Sequence, residues 1–436
     1  MDDTTNDEAA RQRALIELRR RGVTSSAELQ SLLGKSQPTL SRWIGRLGAD
    51  EVVAIGSGRR TRYAAPQPIL GLAAQQPLSW TDEDGRVTSL GTLSFVVGDR
   101  VHVQCEGAID LLSTGHLPWF LAPLQPSGFL GRLLARRLAL LGADADPQRW
   151  SLAQILFAAL HTPDAPGALT LGDSAPGANR PPLPEANRHA AFDALAADVA
   201  ATFPIGSSAG GEQAKFLACV DARHVLVKFS PPRGTPFGER WHDLLHAEHA
   251  AHTLLAEHFV PVAATRIVET AARTYLESTR FDRIGLHGRR HAVPLDAVHA
   301  AFVPGVRQHW AATCEALARQ RRLPSHVAAQ ARSLQQFGRL IGNSDMHFGN
   351  LSLLVERADL ARARFTLAPL YDMLPMRWRP DPSSGSLDLT PFQPADADLA
   401  SAAQPLALLF WQRVAGNGAI SKGFRALARE MAARLG

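Results

Sequence analysis

The stretch IGNSDMHFGN, residues 341–350, decides how the C-terminal half of this 436-residue chain is interpreted. Apolar residues at helical spacing precede it, so we predict an amphipathic helix that delivers the chain into this polar loop. Residues 351–355 then indicate a buried strand, and residues 364–367 its hairpin partner. Because a hairpin returns the chain toward its starting point, we expect Asp372 to come back to the polar loop.

Four residues separate Asp345 from Asn350, which is the Asp-x₄-Asn spacing of the catalytic loop of protein kinases. This spacing lets one carboxylate face an acceptor hydroxyl while an amide oxygen turns back to ligate Mg²⁺. Asp372 would then reach the metal from the other side. Phosphoryl transfer depends mainly on positioning and charge neutralisation, so these groups and a lysine suffice. The alternative is that all three residues belong to polar turns that end a helix or a strand.

A glycine-rich segment and a lysine come before this loop. Residues 206–215, GSSAGGEQAK, form a small-residue loop whose backbone N–H groups could cradle phosphates, although it does not match the P-loop consensus. Lys228 lies in an apolar strand, where an unpaired charge is costly. It is either an edge-strand lysine that reaches solvent or a lysine held on nucleotide phosphates. In the second case Glu248 is a possible ion-pair partner.

The helix predicted over about residues 239–258 carries His242, His246, His249 and His252. Histidines four residues apart can bind a metal, but the run matches neither zincin helix motif and no third type of ligand is evident nearby. We therefore interpret it as a histidine-rich, partly exposed helix face.

The first 65 residues indicate a separate basic module. Residues 8–49 carry eight Lys or Arg against three Glu, in three short helical patterns. A hairpin pattern follows, with its turn at residues 56–58, and residues 64–78 indicate a linker. The segment SQPTLSR, residues 36–42, and the Gly-Arg-rich hairpin make the module resemble a winged helix-turn-helix.

In that interpretation the third helix would read bases in a major groove and basic side chains would contact phosphates or a minor groove. The residues expected at bases are Gln37, Thr39, Ser41 and Arg42. Those expected at the backbone or minor groove are Arg46, Arg59, Arg60 and Arg62. The alternatives are a simply solvated arginine face or a protein-docking role for the same fold.

The composition excludes several classes of protein. Apolar residues make up 45% of the chain and the net charge is only +5, which excludes collagen, a coiled coil and wholesale disorder. There is no run of about 18 apolar residues and no apolar signal segment, so we expect neither a membrane span nor secretion. Cys105, Cys219 and Cys314 are far apart and odd in number, which favours a cytoplasmic location.

The glycine-rich loop, the strand lysine, the helix glutamate, the Asp-x₄-Asn loop and the last aspartate follow one another in the order of a protein kinase. Residues 90–435, roughly, resemble the HipA-like serine/threonine kinases of bacterial toxin–antitoxin systems. The resemblance is most specific in residues 208–215, 227–228, 280–283 (RFDR), 342–350 and 371–375.

The resemblance implies that Asp345 orients or deprotonates the acceptor hydroxyl and that Lys228 contacts the phosphates of ATP. It implies that Asn350 and Asp372 hold Mg²⁺. Ser208 falls where the family carries an autophosphorylated serine, and its phosphorylation would eject the glycine-rich loop and silence the enzyme. The family phosphorylates protein serine, with aminoacyl-tRNA synthetases among its substrates.

Residues 277–281 would form the hinge that reads adenine through its backbone. The residues expected around the nucleotide are Ser208, Gly210, Gly211, Lys215, Lys228, Glu277, Thr279, Phe281 and His347. The chain departs from the family at Thr279, where an acidic residue usually precedes the RFDR motif, and at Ala214. The family usually carries DNA binding on a separate antitoxin, whereas here, as in one subgroup, a winged helix is fused to the kinase.

We therefore predict an α+β chain: a winged helix-turn-helix over residues 1–65, a HipA N-terminal subdomain and kinase N-lobe over 66–282, and a mainly helical kinase C-lobe over 283–436. The expected function is ATP- and Mg²⁺-dependent phosphorylation of a protein serine or threonine, together with binding to double-stranded DNA. A separate antitoxin and a homodimer are possible partners. The alternatives are a transcription regulator with an inactive kinase-like sensor and a small-molecule phosphotransferase.

Overall fold

The computed structural model has a mixed α+β architecture, built from an N-terminal unit, a five-stranded middle region, a four-stranded sheet and a mainly helical C-terminal region. It describes the chain apart from residues 1, 49, 108, 163, 174–180, 203–212, 259, 382–383 and 385.

The N-terminal unit consists of α1 (Asp2–Arg21), β1 (Thr24–Ser25), α2 (Ser26–Leu33), α3 (Gln37–Ile44), β2 (Val53–Ile55) and β3 (Arg62–Ala64). Ser25 and Glu28 form a capping box that starts α2, and Gly34 ends it in a left-handed conformation. Leu18, Leu29 and Leu40 are fully buried between the helices. Three helices and a hairpin thus form where the pattern predicts them, and β1 adds a third strand beside β3.

The middle region consists of β4 (Gln75–Thr81), β5 (Val87–Val96), β6 (Arg100–Cys105), β7 (Ile109–Thr114), α4 (Gly128–Ala139), α5 (Leu152–Leu160) and β8 (Leu169–Leu171). The strands form one sheet in the order β7-β6-β5-β4-β8. The linker predicted over residues 64–78 is wrong, because Ala65 and Ile69 are buried and β4 already begins at Gln75. Backbone hydrogen bonds from Gln67 N to Phe95 O and from Val97 N to Ala65 O fix this segment along β5.

The four-stranded sheet belongs to a region with α6 (Arg188–Thr202), β9 (Lys215–Val220), β10 (Arg223–Phe229), α7 (Pro236–Glu257), β11 (Thr265–Glu269) and β12 (Thr274–Thr279). Its order is β11-β12-β10-β9. Phe192 of α6 packs on Phe216 and Tyr275, so α6 covers one face of the sheet. Lys228 points to the other face, because side chains alternate along β10 and its neighbour Val227 belongs to the α6-side core.

The C-terminal region consists of β13 (Arg283–Ile284), β14 (Gly288–Arg289), β15 (Ala292–Pro294), α8 (Leu295–Phe302), α9 (Trp310–Arg319), α10 (Ser325–Leu340), β16 (Ser352–Leu354), β17 (Thr366–Leu367), α11 (Asp396–Leu399), α12 (Gln404–Gly416) and α13 (Lys422–Leu435). The predicted helix, strand and hairpin partner around the polar loop are present as α10, β16 and β17. Trp310, Trp378 and Trp411 are fully buried in the core of this region. Among the described residues, no helix is both long and apolar enough to span a membrane.

Candidate active site

Lys228 is buried between two carboxylates. Its Nζ lies 2.6 Å and 2.7 Å from the two oxygens of Glu248 and 2.6 Å from Oδ1 of Asp372. Burial by itself would lower the pKa of Lys228, but the charges of Asp372 and Glu248 outweigh it and raise the pKa above its usual value. The lysine is therefore a cation at neutral pH, and the edge-strand alternative, in which it reaches solvent, is excluded.

Three separate elements bring this cluster together. Lys228 lies on β10, Glu248 lies in the middle of α7, and Asp372 follows β17. Asp372 has a φ of +54°, a left-handed conformation that is uncommon outside glycine and often marks a functional position. Burial would raise the pKa of Asp372, but the charges of Lys228 and Lys215 hold it below its usual range, so the carboxyl group is ionised.

The polar loop starts where α10 ends. Gly342 has a φ of +75°, and a Cβ there would lie 2.6 Å from the ring of Trp378, so this position requires glycine. Asn350 then donates a hydrogen bond from Nδ2 to the carbonyl oxygen of Asp345 over 2.8 Å. The loop thereby closes on itself and holds its two predicted functional residues side by side.

Asn343 connects the loop to Asp372, and the sequence analysis missed it. Its Oδ1 accepts a hydrogen bond from the backbone N–H of Asp345 over 3.0 Å, and its Nδ2 donates to the carbonyl oxygen of Asp372 over 3.3 Å. The first bond is the local turn that asparagine typically makes with the residue two positions on, which a closer reading of the sequence could have found. The second bond spans 29 residues, and no sequence pattern indicates it.

We call the region between the lysine cluster (Lys228, Glu248 and Asp372) and the polar loop (residues 341–350) the cleft. Tyr371 links it to the segment around Phe281. Its hydroxyl donates to the carbonyl oxygen of Gly349 over 2.7 Å and lies 2.7 Å from Oγ of Ser352. Its ring stacks on Phe281 with the centroids 5.7 Å apart. The aromatic pair therefore joins the polar loop to the predicted hinge.

The predicted hinge begins inside a central strand of the sheet. Glu277 lies inside β12, opposite Val227 in the register, so its side chain points to the face of the sheet away from Lys228. There it is buried and accepts a hydrogen bond from Arg223 over 2.7 Å. Thr279 lies opposite Val225 and shares that face. The side chains of Glu277 and Thr279 therefore do not face Lys228. The backbone of β12 pairs with β10 on one side and β11 on the other, and the N–H groups of Thr279 and Arg280 donate to the carbonyl oxygens of Ala264 and His224. Adenine contact through the backbone of this segment stays a prediction.

The RFDR motif forms a buried ion network. Arg280 binds Asp282 through Nε over 3.0 Å and through NH2 over 2.9 Å, and Arg283 binds the same carboxylate over 2.7 Å. Asp164, before β8, accepts from both arginines at 2.8 Å and 2.9 Å. Burial would raise the pKa of Asp282, but the charges of Arg280 and Arg283 hold it below its usual range. The motif thus fastens the hinge to the middle region.

The other residues predicted to contact a nucleotide lie near this cleft or outside the described part of the chain. Lys215 begins β9 beside Lys228 in the register and is half-buried. His347 is exposed, and its Nδ1 accepts from the backbone N–H of Gly349. Ser208, Gly210 and Gly211 lie outside the described residues.

A cavity of about 360 Å³ adjoins Asp345. Most of the residues that line it have polar side chains, among them Gln308, His309, Gln335 and Asn343. No hydrogen bond or ion pair to the carboxylate of Asp345 is seen within the described part of the chain, so this side chain faces open space.

The residues expected at DNA all lie in the N-terminal unit. Gln37 is tied to α2, because its Oε1 accepts from Oγ of Ser26 over 2.6 Å, and Thr39 lies 3.1 Å from Oγ of Ser36. The exposed members of the set are Gln37, Ser41, Arg42, Arg46, Arg59, Arg60 and Arg62.

The histidine face of α7 is less exposed than we predicted. His246 and His252 are buried, and His242 and His249 are half-buried. The hairpin of β11 and β12 and the segment around Ala419 cover this side of the helix. These covering segments are distant from α7 in the sequence, so the spacing of the histidines could not predict that they would be buried.

Comparisons with known proteins point to one family. Residues 207–435 match the family of HipA-like C-terminal domains, and residues 72–178 match the family of YjjJ-like toxin middle domains. Toxin YjjJ of Escherichia coli (strain K12) is 34% identical over 439 residues, and the match covers 96% of each chain. A solved HipA shares the fold; it comes from the complex of the Shewanella oneidensis MR-1 toxin–antitoxin system HipA, HipB and its operator DNA. The two structures align with a TM-score of 0.50 and 16% sequence identity, and the alignment covers 83% of this chain and 95% of that chain. The chain therefore belongs to the HipA-like toxin family.

Proposed function

We propose that this protein is a kinase that uses ATP and Mg²⁺ to phosphorylate a serine or threonine of another protein. The observation that carries the proposal is the buried lysine, whose Nζ lies 2.6 Å from both Glu248 Oε1 and Asp372 Oδ1. A lysine anchored in this way is held where it can contact phosphates, and a carboxylate beside it can hold a divalent cation. Such a cluster has no evident use in an inactive sensor, which favours the enzyme over that alternative.

The oxygen atoms of the cleft fit Mg²⁺, which prefers carboxylate and amide oxygens as protein ligands. The carboxyl group of Asp372 is ionised, since its pKa is held low by Lys228 despite burial. Asn350 donates a hydrogen bond from Nδ2 to the carbonyl oxygen of Asp345, and its Oδ1 accepts no hydrogen bond from the described residues. Asp372 and Asn350 would therefore hold the ion. When bound, Mg²⁺ supplies positive charge that offsets the charge on the phosphate groups.

Asp345 would act on the acceptor hydroxyl. Its backbone is fixed by the side chain of Asn343 and its carboxylate faces the polar cavity beside it. A carboxylate in this place can orient the hydroxyl of a serine or threonine and accept its proton at Oδ. The polar, open lining of the cavity suits a side chain presented by a protein segment.

The hinge side of the cleft would take the base of the nucleotide. The stacked rings of Phe281 and Tyr371 offer an apolar wall, which suits a flat aromatic base. Lys215 lies at the start of β9, beside Lys228, where its charge can support phosphates. The phosphate cradle of Gly210 and Gly211 and the autophosphorylation of Ser208 stay predictions from the sequence.

We also propose that the N-terminal unit is a winged helix-turn-helix that binds double-stranded DNA. Its α3 presents Ser41 and Arg42 to solvent, and the hairpin between β2 and β3 presents Arg59 and Arg60. A helix with an exposed polar face and a basic hairpin on one small unit suit a helix for the major groove and a wing for the backbone. The solved HipA is in a complex with HipB and its operator DNA. We therefore expect a DNA partner and a separate antitoxin for this protein. A homodimer and a cytoplasmic location stay predictions from the sequence.

The decisive experiment compares the wild type with Asp345→Asn. Purified protein is incubated with radiolabelled ATP and Mg²⁺, and the phosphoproteome of expressing cells is recorded in parallel. We expect the variant to lose phosphate transfer by at least about 100-fold, because proton transfer by a positioned group contributes at least this much.

Asp359→Asn makes the same chemical change between β16 and β17, outside the cleft, and should behave as the wild type. Equal phosphate transfer by the wild type and Asp345→Asn would refute the proposed kinase activity. New phosphate on a metabolite, with no new phosphoserine or phosphothreonine on proteins, would instead identify a small-molecule phosphotransferase.

A further inference from the structure

A group of metal-ligating side chains lies on α7, away from the cleft. His242 and His246 are one helical turn apart, with their ring centroids 4.5 Å from each other. Glu269, at the end of β11, places its Oε1 3.1 Å from Nε2 of His246 and 3.9 Å from Nδ1 of His242. The ligand atoms of all three residues lie within 4.8 Å of one another.

The hydrogen bonds of His242 direct one nitrogen to this group. Its Nε2 lies 2.8 Å from the carbonyl oxygen of Ala419, which can only accept, so Nε2 carries the proton and donates it. Nδ1 then keeps its lone pair, which accepts from the hydroxyl of Thr274 over 2.7 Å, and Oε1 of Glu269 lies 3.9 Å from it. A ligating histidine typically donates its other ring N–H to a backbone carbonyl in this way.

We propose that His242, His246 and Glu269 form a metal site for Zn²⁺, with the fourth position open to water. Two imidazole nitrogens and one carboxylate are a donor set that zinc accepts, whereas Mg²⁺ prefers oxygens alone. Ligand atoms around a tetrahedral zinc ion lie about 3.3 Å apart, so a small movement of His242 closes the site. The ion takes the place of the hydrogen bond from Thr274. This inference concerns a second site and does not depend on the proposed kinase activity.

Arg233 limits the affinity of this site. Its NH2 lies 3.2 Å from Oε2 of Glu269, so it holds the second oxygen of the carboxylate while Oε1 faces the histidines. This contact orients the ligand, but the guanidinium charge repels a divalent cation. Replacing Arg233 should therefore strengthen zinc binding, which a merely structural hydrogen-bonded cluster would not do.

Zinc in this place would join three parts of the structure. His246 is two residues before Glu248 on α7, Glu269 belongs to the hairpin of β11 and β12, and Ala419 lies between α12 and α13. An ion bound only by the folded chain stabilises it by mass action. We expect zinc to raise the thermal unfolding temperature of the protein.

The test is titration of the full-length, untagged protein with Co²⁺, followed by displacement with Zn²⁺. We expect one Co²⁺ per chain with the intense visible bands of four-coordinate cobalt, abolished by Zn²⁺. His246→Gln and Glu269→Gln should each weaken binding by at least about tenfold, and Arg233→Gln should strengthen it.

His249→Gln is the matched control, because His249 lies on the same helix but bonds Thr265 instead. It should bind as the wild type. If His246→Gln does not fold, Glu269→Gln decides the question, since Glu269 is exposed at the rim. Absence of stoichiometric binding to the wild type, or binding that Glu269→Gln leaves unchanged, overturns the proposal.

Discussion

The side-chain amide of Asn343 donates a hydrogen bond to the backbone oxygen of Asp372, and this bond couples the polar loop to the strained segment that carries the carboxylate proposed to hold Mg²⁺. Asn343 is buried, so water cannot easily replace it. The same side chain accepts from the backbone of Asp345. One residue therefore sets the relative position of the two aspartates that the proposed reaction requires.

Replacing Asn343 should impair catalysis more than nucleotide binding. Asn343→Ala removes both bonds and leaves the partly buried carbonyl of Asp372 without this donor, which costs about 1 kcal/mol. We expect kcat to fall about tenfold or more while KM for ATP changes little, since Lys228 and the hinge stay in place. Steady-state kinetics of autophosphorylation measures the two effects separately. Ser333→Ala, on the exposed side of α10, is the control, and an equal loss in both variants would contradict a positioning role.

Substitutions in the cluster of Lys228, Glu248 and Asp372 should affect the stability and the activity of the protein separately. Lys228→Met leaves the buried Glu248 and the partly buried Asp372 as two carboxylates without their cation, which should lower the free energy of unfolding by about 3–5 kcal/mol and abolish activity. Adding Glu248→Gln removes one of the two charges. The double variant should regain a large part of the stability, yet stay inactive.

Urea unfolding followed by circular dichroism, together with phosphate transfer, checks both expectations. Equal stability of the single and double variants would show that the two charges do not interact in the folded state.

The sequence predicts the local parts of this site and the order in which they meet. The Asp-x₄-Asn spacing, the lysine in an apolar strand and the hairpin of β16 and β17 each follow from periodicity and residue type within short segments. The face of β12 on which Glu277 lies depends on register with β10, which periodicity alone does not fix. The bond from Asn343 to Asp372 and the contact of Asp164 with the RFDR motif join residues 29 and more than 100 positions apart, and no local pattern encodes them.

Because of the ion network of the RFDR motif, the free energy of unfolding should depend on pH in the acidic range. The pKa of Asp282 is 3.8 in its ordinary state and lies lower in the folded chain, so the unfolded chain takes up the proton first. The stabilisation by Asp282 is therefore complete above about pH 4 and is lost as the pH falls from there toward the folded pKa. Asp282→Asn should be less stable at pH 7 by about 3–5 kcal/mol and should depend less on pH between about 5 and 3.

Unfolding free energies of the wild type and Asp282→Asn, measured across this range, test the sign. Glu83→Gln is a suitable control, because Glu83 pairs with Arg290 at the exposed surface and a surface pair contributes little. Parallel pH curves for the wild type and Asp282→Asn would contradict the assignment.

Two arginines of the N-terminal unit should affect DNA binding in different ways. Arg42 extends from α3, the helix expected in the major groove, so Arg42→Ala should cost about 1–3 kcal/mol and relax the preference at one base position. Arg60 lies in the hairpin between β2 and β3, where it would contact phosphate, so Arg60→Ala should weaken binding on all sequences and reduce the salt dependence by about one counterion. Binding of a randomised DNA pool at several salt concentrations separates the two outcomes. If neither variant alters binding, or the wild type binds no DNA at low salt, the exposed arginines serve another partner.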